Sequence, residues 1–189
     1  MKLELTTKTN GVDTTRLQET VSAVKAKPEL GRFNFRIENR WIECGENRSE
    51  VKSFSGCEQD FTHKGDFTLV ADEPDILLGA DKGANPVEYL LHALASCVTT
   101  SMVYHAAARG IQVEHVESSL DGDLDLQGFL GLDPTVRKGY QQIRMKMRIK
   151  GNVTDEQLKE LSNLGPTFSP VFDSLKNGVP IAISAERIP

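Results

Sequence analysis

The sequence of 189 residues has no long apolar run, and no segment approaches the roughly 18 apolar residues that a membrane span needs. The opening stretch, MKLELTTKTNGVD, also lacks the apolar core of a signal peptide, so we expect a cytoplasmic protein without a membrane partner. Acidic residues outnumber basic residues by 27 to 22, which gives a net charge of −5. Nucleic acid is therefore not an expected partner, because its phosphates repel an acidic surface.

Motifs for disulfides, metals and nucleotides are also missing. The three cysteines, Cys44, Cys57 and Cys97, are too few and too unevenly spaced for a disulfide framework. No C-x-x-C occurs, and the four histidines form no H-x-x-H or H-x-x-x-H pair, so a structural zinc site is not expected. Glycine-rich nucleotide motifs are lacking as well. We therefore expect neither a metal nor an organic cofactor.

The composition that remains is that of a globular protein, with 39% apolar and 26% charged residues and enough length to bury a core. Apolar spacing predicts a short amphipathic helix over 14–27, followed by Pro28. Alternation of apolar and polar residues predicts a strand over 32–43, and two more strands are expected at about 48–55 and 65–71. The first part of the chain is thus predicted to be one helix followed by a sheet.

The strongest helix signal begins at Asn85 and continues to about Arg109. Asn85 suits the N-cap, Pro86 suits the first helical position, where a missing N–H costs nothing, and Glu88 falls at the third. Gly110 supplies the stop. Apolar residues cover most of the circumference, so we expect this helix to be buried on more than one side, as the central helix of the fold.

Three more strands and two more helices are predicted after this helix. The strands are expected at about 112–122, 140–150 and 179–187. The first helix begins at a capping box formed by Thr154 and Gln157, continues to about Leu164 and is ended by Gly165-Pro166. The second, shorter helix extends from Ser169-Pro170 to Asn177-Gly178. The arginines and lysines of 140–150 alternate with apolar residues, which predicts one basic, solvated face. Strands come in groups and do not alternate with helices, so the fold class is predicted to be α+β.

Cys97 is the candidate nucleophile, and it shares a stripe of the predicted central helix with Leu90, Leu94 and Ser101. Two interpretations are open. A free cysteine commonly packs as a small apolar side chain, whereas a reactive thiol needs a cation that stabilises the thiolate. The helix N-terminus is too distant to supply that charge, so a reactive Cys97 would require an arginine from elsewhere in the chain.

Blocks of sequence along the chain resemble the OsmC/Ohr family. They are FRIENRW (35–41), the DEP loop at 72–74, GANPVEYLLHALASC (83–97), DGDLDLQGFLGL (121–132) and SPVFDSLKNGVPIAI (169–183). The resemblance implies thiol-dependent reduction of organic hydroperoxides by an intertwined α+β homodimer, in which antiparallel sheets pack on a long central helix. It covers nearly all of the chain after residue 31, so we expect an OsmC-like domain over 31–189 and an N-terminal extension over 1–30.

The resemblance assigns the peroxide-attacking cysteine of the family to Cys97. The second, resolving cysteine of the family falls on Ser169, which cannot form a disulfide and suits a helix N-cap before Pro170. An external thiol would then have to reduce the oxidised Cys97, unless Cys44 or Cys57 folds nearby.

The resemblance implies two further catalytic positions, a glutamate and an arginine, whose places in this sequence match the family pattern less directly than that of Cys97. The orienting glutamate of the family falls on Val87, and Glu88, one residue later, is the nearest carboxylate, although it is also the expected capping partner of Asn85. The thiolate-stabilising arginine is assigned to Arg40, with Arg36 and Arg48 as alternatives.

Two functional hypotheses remain from the sequence. The first is a hydroperoxide reductase with one reactive cysteine, a site at the dimer interface and an external thiol reductant. The second is a non-catalytic OsmC relative that binds a small apolar ligand or senses oxidation. Cys97 favours the first hypothesis, whereas Ser169 and Val87 favour the second.

Overall fold

The computed structural model of the protein describes residues 8–188 and consists of two compact units, one ending at His92 and the other beginning at Ala93. The described residues form eight strands and five α-helices. In chain order they are β1 (Lys8–Thr9), β2 (Val12–Asp13), α1 (Thr14–Ala26), β3 (Phe33–Phe35), β4 (Glu38–Glu43), β5 (Glu46–Gly56), β6 (Gln59–Ala71), α2 (Pro86–Ala108), β7 (His115–Asp123), α3 (Leu126–Phe129), β8 (Gln142–Lys150), α4 (Asp155–Phe168) and α5 (Pro170–Asn177). The boundary between the two units falls inside α2.

The N-terminal helix agrees with its prediction over 14–27. The carboxylate of Asp13 caps α1 by accepting a hydrogen bond from the backbone N–H of Arg16 at 3.0 Å. No residue of α1 is buried. Whether residues 1–30 form an extension separate from the rest of the chain stays a prediction, and part of it, residues 1–7, lies outside the described residues.

The first unit contains a four-stranded antiparallel sheet in which β5 is central. β3 and β4 pair with successive parts of β5 on one side, and β6 pairs with it on the other. The prediction of one strand over 32–43 is wrong, because the structure has two strands there. Phe35 pairs with Phe54 while Glu38 pairs with Glu50, so the register shifts by one residue and interrupts the strand between β3 and β4.

One face of this sheet carries a row of six rings from β3, β5 and β6, which we call the aromatic row. Its members are Phe33, Phe35, Phe54, Phe61, His63 and Phe67. Neighbouring ring centroids in the row lie between 5.1 and 6.0 Å apart. Phe35 is 72% exposed, and none of the described residues of the first unit is a buried apolar side chain. The sheet therefore has an apolar face that its own unit leaves uncovered.

The second unit has a buried core between helices and a two-stranded sheet. Met102 and Ala106 of α2 meet Leu161 and Leu164 of α4, together with Ile111. Residues on one face of the antiparallel β7–β8 pair pack against this cluster. With the antiparallel sheet of the first unit, this arrangement confirms the α+β prediction.

The other face of the β7–β8 pair carries the arginines and lysines for which the sequence predicted a basic, solvated surface. The structure forms ion pairs between two of these four bases and acidic residues of β7, and Lys150 pairs with Glu114, directly before β7, at 3.3 Å. Arg144 forms ion pairs with Asp121 and Asp123, and Arg148 does so with Glu117. The face is solvated but largely neutralised across the strands, because each base stands opposite or diagonal to an acid.

The predicted end of the fourth helix at Gly165-Pro166 is wrong. α4 continues through both residues to Phe168. A Cβ atom at Gly165 would lie 2.6 Å from Cγ1 and 2.8 Å from the carbonyl oxygen of Val98 on α2. Gly165 is therefore required for the close approach of two helices and does not act as a helix stop. Pro166 removes one hydrogen bond near the end of the helix, where the loss is tolerated.

The predicted strand over 179–187 is also wrong, since none of the described residues after Asn177 belongs to a strand. Val179, Ile181 and Ile183 alternate with smaller or polar residues, and their side chains are 55%, 78% and 91% exposed. The segment has the alternation of a strand, but no described strand of the chain pairs with it. A strand needs a neighbour for its backbone N–H and C=O groups, which the alternation alone cannot supply.

Gly165→Ala should destabilise the protein by about 1–3 kcal/mol, because the added methyl group overlaps Val98 in a packed helix contact. The higher helix propensity of alanine, about 1 kcal/mol, offsets part of this cost. Urea unfolding measures the difference. The matched control is Gly139→Ala, where a Cβ would meet nothing within 4 Å. Equal stability of the two variants would contradict the role of Gly165 in packing.

Candidate functional site

Cys97 lies on α2 in the second unit and is half-buried. The next residue, Val98, is 2% exposed, and Leu94, one turn earlier, is 6% exposed. Cys97 is therefore a half-buried residue that buried apolar residues flank along α2. Ser101 follows one turn later on the same stripe of the helix, as the sequence predicted.

The junction between α4 and α5 lies against this part of α2. The hydroxyl of Ser101 donates a hydrogen bond to the carbonyl oxygen of Phe168 at 3.4 Å. The ring of His105, a further turn along α2, stacks on the ring of Phe168 with a centroid distance of 3.7 Å and an interplanar angle of 14°. Burial lowers the pKa of His105, and the nearby charge of Arg109 lowers it further, so the imidazole is neutral at pH 7.

Ser169 occupies the α4–α5 junction and is 2% exposed. Its hydroxyl accepts a hydrogen bond from the backbone N–H of Phe172 at 3.2 Å, which makes it the N-cap of α5. The predicted capping role of Ser169 is thereby confirmed. Because the preceding residue, Phe168, contacts Ser101, the junction lies on the side of α2 that also carries Cys97.

Glu88 has a capping role at the first turn of α2. Its carboxylate accepts a hydrogen bond from the backbone N–H of Asn85 at 2.9 Å, and the Asn85 side chain accepts one from Val87 N at 2.9 Å. This confirms the predicted capping pair. Glu88 precedes Cys97 by nine residues, or about two and a half helical turns. A catalytic role for Glu88 stays a prediction.

The three candidate arginines lie on the sheet of the first unit. Arg40, on β4, is 67% exposed at its side chain, and its ion pair with Glu50 measures 3.9 Å. Arg48 instead binds the buried carboxylate of Glu46 through two nitrogens, at 2.9 and 2.8 Å. Arg36 contacts Ser55 at 3.3 Å and lies 3.7 Å from an aspartate. Of these three candidates, Arg40 is thus held most weakly by its own unit, and its proposed partnership with Cys97 stays a prediction.

The sequence did not reveal a buried carboxylate at Asp72, which is 1% exposed. Its two oxygens accept hydrogen bonds from the backbone N–H groups of Glu73, Ala80 and Lys82 at 2.8, 3.1 and 3.2 Å. The Lys82 side chain in turn donates to the buried carboxylate of Glu46 at 2.8 Å. Asp72 therefore organises the loop between β6 and α2. The only sequence signal was the acidic and glycine-rich composition of the loop, which does not indicate burial.

Hydrogen bonds control how two buried carboxylates titrate, Asp72 in this loop and Glu46 on β5. Burial by itself raises the pKa of Asp72, but the three backbone N–H groups outweigh this effect and hold the pKa below its usual value. Hydrogen bonds from Lys82 and Arg48 hold the pKa of Glu46 low in the same way. A depressed folded-state pKa stabilises the protein above the unfolded pKa, and this stabilisation is lost as the pH falls through the folded pKa.

Asp72→Asn should lower the stability at pH 7 and flatten its loss in acid. The asparagine keeps one acceptor, but its NH2 group faces backbone donors and cannot accept from them. In the parent protein we expect stability to fall as the pH drops below about 4, near the unfolded pKa of aspartate. Urea unfolding at pH 7, 5 and 3 measures both effects. Parallel pH profiles for parent and variant would contradict this assignment.

Cys44 and Cys57 lie in the turns at the two ends of β5. The Cys44 thiol donates to the carbonyl oxygen of Leu78 at 2.8 Å, and the Cys57 thiol donates to that of Leu30 at 3.4 Å. Both thiols therefore have structural hydrogen bonds, and a resolving role for either one stays a prediction.

Two features are absent from the described residues, 8–188. No group of three or more His, Cys, Asp or Glu side chains is placed to hold a metal ion. No helix within the same range has both the length and the apolar character to cross a membrane.

Comparisons with known proteins identify the family. The family model described as OsmC-like protein matches residues 79–184. Similar solved structures include an OsmC-like protein from Mycoplasma pneumoniae, with 19% identity, a TM-score of 0.57, and 76% of this chain and 87% of that one covered. An organic hydroperoxide resistance protein OsmC from Legionella pneumophila has 15% identity, a TM-score of 0.55, and 77% and 90% covered. A putative osmotic stress induced and detoxification response protein from Psychrobacter arcticus has 13% identity and a TM-score of 0.55, with 75% of this chain and 88% of that one covered.

No functionally curated protein sequence matches this chain. The solved structures are too distant in sequence to show more than the fold. Their similarity supports the α+β arrangement with antiparallel sheets described above. The family model, in contrast, spans more than half of the chain, including α2, Cys97 and the α4–α5 junction. This chain therefore belongs to the OsmC-like protein family.

Proposed function

We propose that the protein reduces organic hydroperoxides with Cys97 as its reactive thiol and an external thiol as reductant. The observation that carries the proposal is the half-buried Cys97 on α2, which the buried residues Leu94 and Val98 flank along the helix and which lies on the side of the α4–α5 junction. Membership of the OsmC-like family supports a stress-related role. The name of the similar Legionella pneumophila protein refers to organic hydroperoxides.

The proposed reaction has two balanced stages. The Cys97 thiolate attacks the distal oxygen of ROOH, the O–O bond breaks, and the leaving alkoxide takes a proton to give ROH and a sulfenic acid on Cys97. A first external thiol then attacks that sulfur, releasing water and forming a mixed disulfide. A second external thiol attacks the mixed disulfide and restores Cys97. The net reaction converts ROOH and two thiols into ROH, water and one disulfide.

Ser169 explains the need for an external reductant. Its position is the one that the family resemblance gives to the resolving cysteine, and a hydroxyl cannot form a disulfide. Its oxygen is also committed to capping α5. The apolar neighbours of Cys97 favour a hydroperoxide with an organic group over hydrogen peroxide, because burying that group removes apolar surface from water.

Arg40 is our candidate for the cation that stabilises the thiolate. Its ion pair with Glu50 is long and exposed, so the guanidinium is more available than that of Arg48, which is held by the buried Glu46. Glu88 is the candidate for the carboxylate that orients the arginine. To take that role its carboxylate would have to release the backbone N–H of Asn85.

We also propose that the protein is a homodimer with the Cys97 site at its interface. Four rings of the aromatic row, those of Phe33, Phe35, Phe61 and Phe67, are exposed, and none of the described residues of this unit is a buried apolar side chain. An amphipathic sheet has to bury its apolar face against another layer. The segment over 179–187, which alternates like a strand but lacks a described partner, is a second surface that a second copy would cover.

Single-turnover consumption of cumene hydroperoxide by the pre-reduced protein tests the proposed function. Stopped-flow mixing should show fast consumption of about one equivalent, followed by an intact mass increased by one oxygen atom. Peptide mapping should place that oxygen on Cys97. Consumption no faster than that of a free thiol, with no oxygen added to Cys97, would overturn the proposal.

A second candidate function is favoured by two observations, the serine at position 169 and the commitment of Glu88 to the cap. A non-catalytic OsmC relative would use the same apolar surroundings of Cys97 to bind a small apolar ligand or to sense oxidation. Slow oxidation in the stopped-flow experiment, combined with tight binding of an apolar probe, would favour this function over peroxide reduction.

A further inference from the structure

Phe168 is held against α2 at two points. The His105 ring stacks on its ring at 3.7 Å, and the Ser101 hydroxyl donates to its carbonyl oxygen at 3.4 Å. Phe168 is nevertheless 44% exposed, so general burial in the core does not fix its position. We call these two contacts the Phe168 clamp.

The clamp lies in register with the reactive thiol. Ser101 follows Cys97 by four residues on α2, and His105 follows Ser101 by four. Residues four apart are neighbours on the surface of a helix, so these three residues form one row along α2. Phe168 is clamped on this row and is followed directly by the buried Ser169. The clamp therefore holds the last residue of α4 on the row of α2 that begins at Cys97.

Two other contacts between this part of the chain and α4 lie away from Phe168. Arg109 pairs with Glu160 at 3.1 Å and joins α2 to the middle of α4. Gly165 packs on Val98 three residues before Phe168. Both contacts fix the body of α4, whereas Phe168 is the last residue of that helix and Ser169 lies beyond it. Of these contacts, the clamp lies nearest to the point where the chain leaves α4.

We infer that His105 is a positioning residue, which by stacking on Phe168 holds the start of α5 at Ser169 on the side of α2 that carries Cys97. This inference deepens the proposed function, because it assigns a residue that shapes the surroundings of the reactive thiol, and it rests on that function only for the role of Cys97. His105 acts through Phe168 and does not itself contact the thiol in this assignment.

The test measures the placement of position 169 by its ability to form a disulfide with Cys97. The starting protein for this test, called the parent variant, carries three substitutions, Ser169→Cys, Cys44→Ser and Cys57→Ser. Its two remaining thiols are those of Cys97 and of position 169. Diamide oxidises them: both thiols lose a proton and an electron, the S–S bond forms, and the diazene is reduced to the hydrazine. Thiol titration and intact mass follow the rate of disulfide formation.

We expect the parent variant to form the disulfide rapidly. The same protein with His105→Ala should form it at least about tenfold more slowly, because small misplacements of reacting atoms have large effects on rate. His105→Phe keeps an aromatic ring on Phe168 and should restore the rate to within about twofold of the parent. Rescue by phenylalanine separates positioning from a role of the imidazole nitrogens.

Two results would overturn the inference. One is a parent variant that forms no disulfide with Cys97, and the other is a His105→Ala variant that forms it at the parent rate. If His105→Ala does not fold, as judged by urea unfolding, Phe168→Leu with native His105 removes the same stack and should show the same slow rate. Diamide needs no peroxide reactivity, so failure of the proposed function would leave this result unaffected.

Discussion

Cys97→Ser should abolish the fast consumption of cumene hydroperoxide, with a loss of at least about 100-fold in the rate under single-turnover conditions. A thiolate is the nucleophile in the proposed reaction, and a serine hydroxyl without an adjacent general base does not replace it. The substitution removes little volume at a half-buried position, so the fold should be retained. Stopped-flow mixing of the pre-reduced variant with the hydroperoxide measures the effect.

The remaining two cysteines supply matched controls for this experiment. Cys44→Ser and Cys57→Ser each keep a hydroxyl that can donate to the same carbonyl oxygen as the native thiol. Both controls should consume the hydroperoxide at a rate within about twofold of the parent. Fast consumption that persists in Cys97→Ser, or that disappears equally in Cys44→Ser, would assign the reaction to another thiol and contradict the proposal.

Local capping signals predicted parts of this structure well because they act within three residues. Asn85 and Glu88 cap α2 as expected, Thr154 and Gln157 form the predicted capping box of α4, and Ser169 caps α5. In each case the side chain of one residue satisfies a backbone N–H of a close neighbour in sequence. Such bonds depend little on the rest of the chain, so the sequence contains nearly all the information needed.

Tertiary contacts account for the errors at the C-terminal end. Gly165-Pro166 has the composition of a helix stop, but the approach of α2 at Val98 requires a glycine, and the helix continues. The segment over 179–187 has the alternation of a strand but lacks a described neighbour. Composition and periodicity predict what a segment can form, whereas packing and pairing decide what it does form.

The candidate site shows the same division. The place of Cys97 on a long helix followed from the sequence, and so did the capping role of Ser169. The burial of Asp72 and the link from Lys82 to Glu46 did not, because those two residues are 36 positions apart and only the fold brings them together. A depressed carboxylate pKa that arises from backbone N–H groups likewise depends on a loop conformation that no motif encodes.

Phe35→Asp should convert a dimer of about 42 kDa, twice the chain mass of 20.9 kDa, into a monomer or into protein that no longer folds. In an isolated chain this side chain is 72% exposed, and a polar replacement at such a position changes stability by no more than about 0.5 kcal/mol. Beneath a second copy, the aspartate would place a charge inside an apolar interface, which is strongly unfavourable. Light scattering coupled to size exclusion measures the mass of each form.

The neighbouring residue on β3 provides the control for this prediction. Asn34→Asp adds the same charge to the opposite face of the strand, because successive side chains of a strand point to opposite faces. It should leave the mass at about 42 kDa, so a different response of the two variants locates the covered face on the side of the aromatic row. A parent protein of about 21 kDa, or a Phe35→Asp variant that stays a stable dimer, would show that the aromatic row is not the dimer interface.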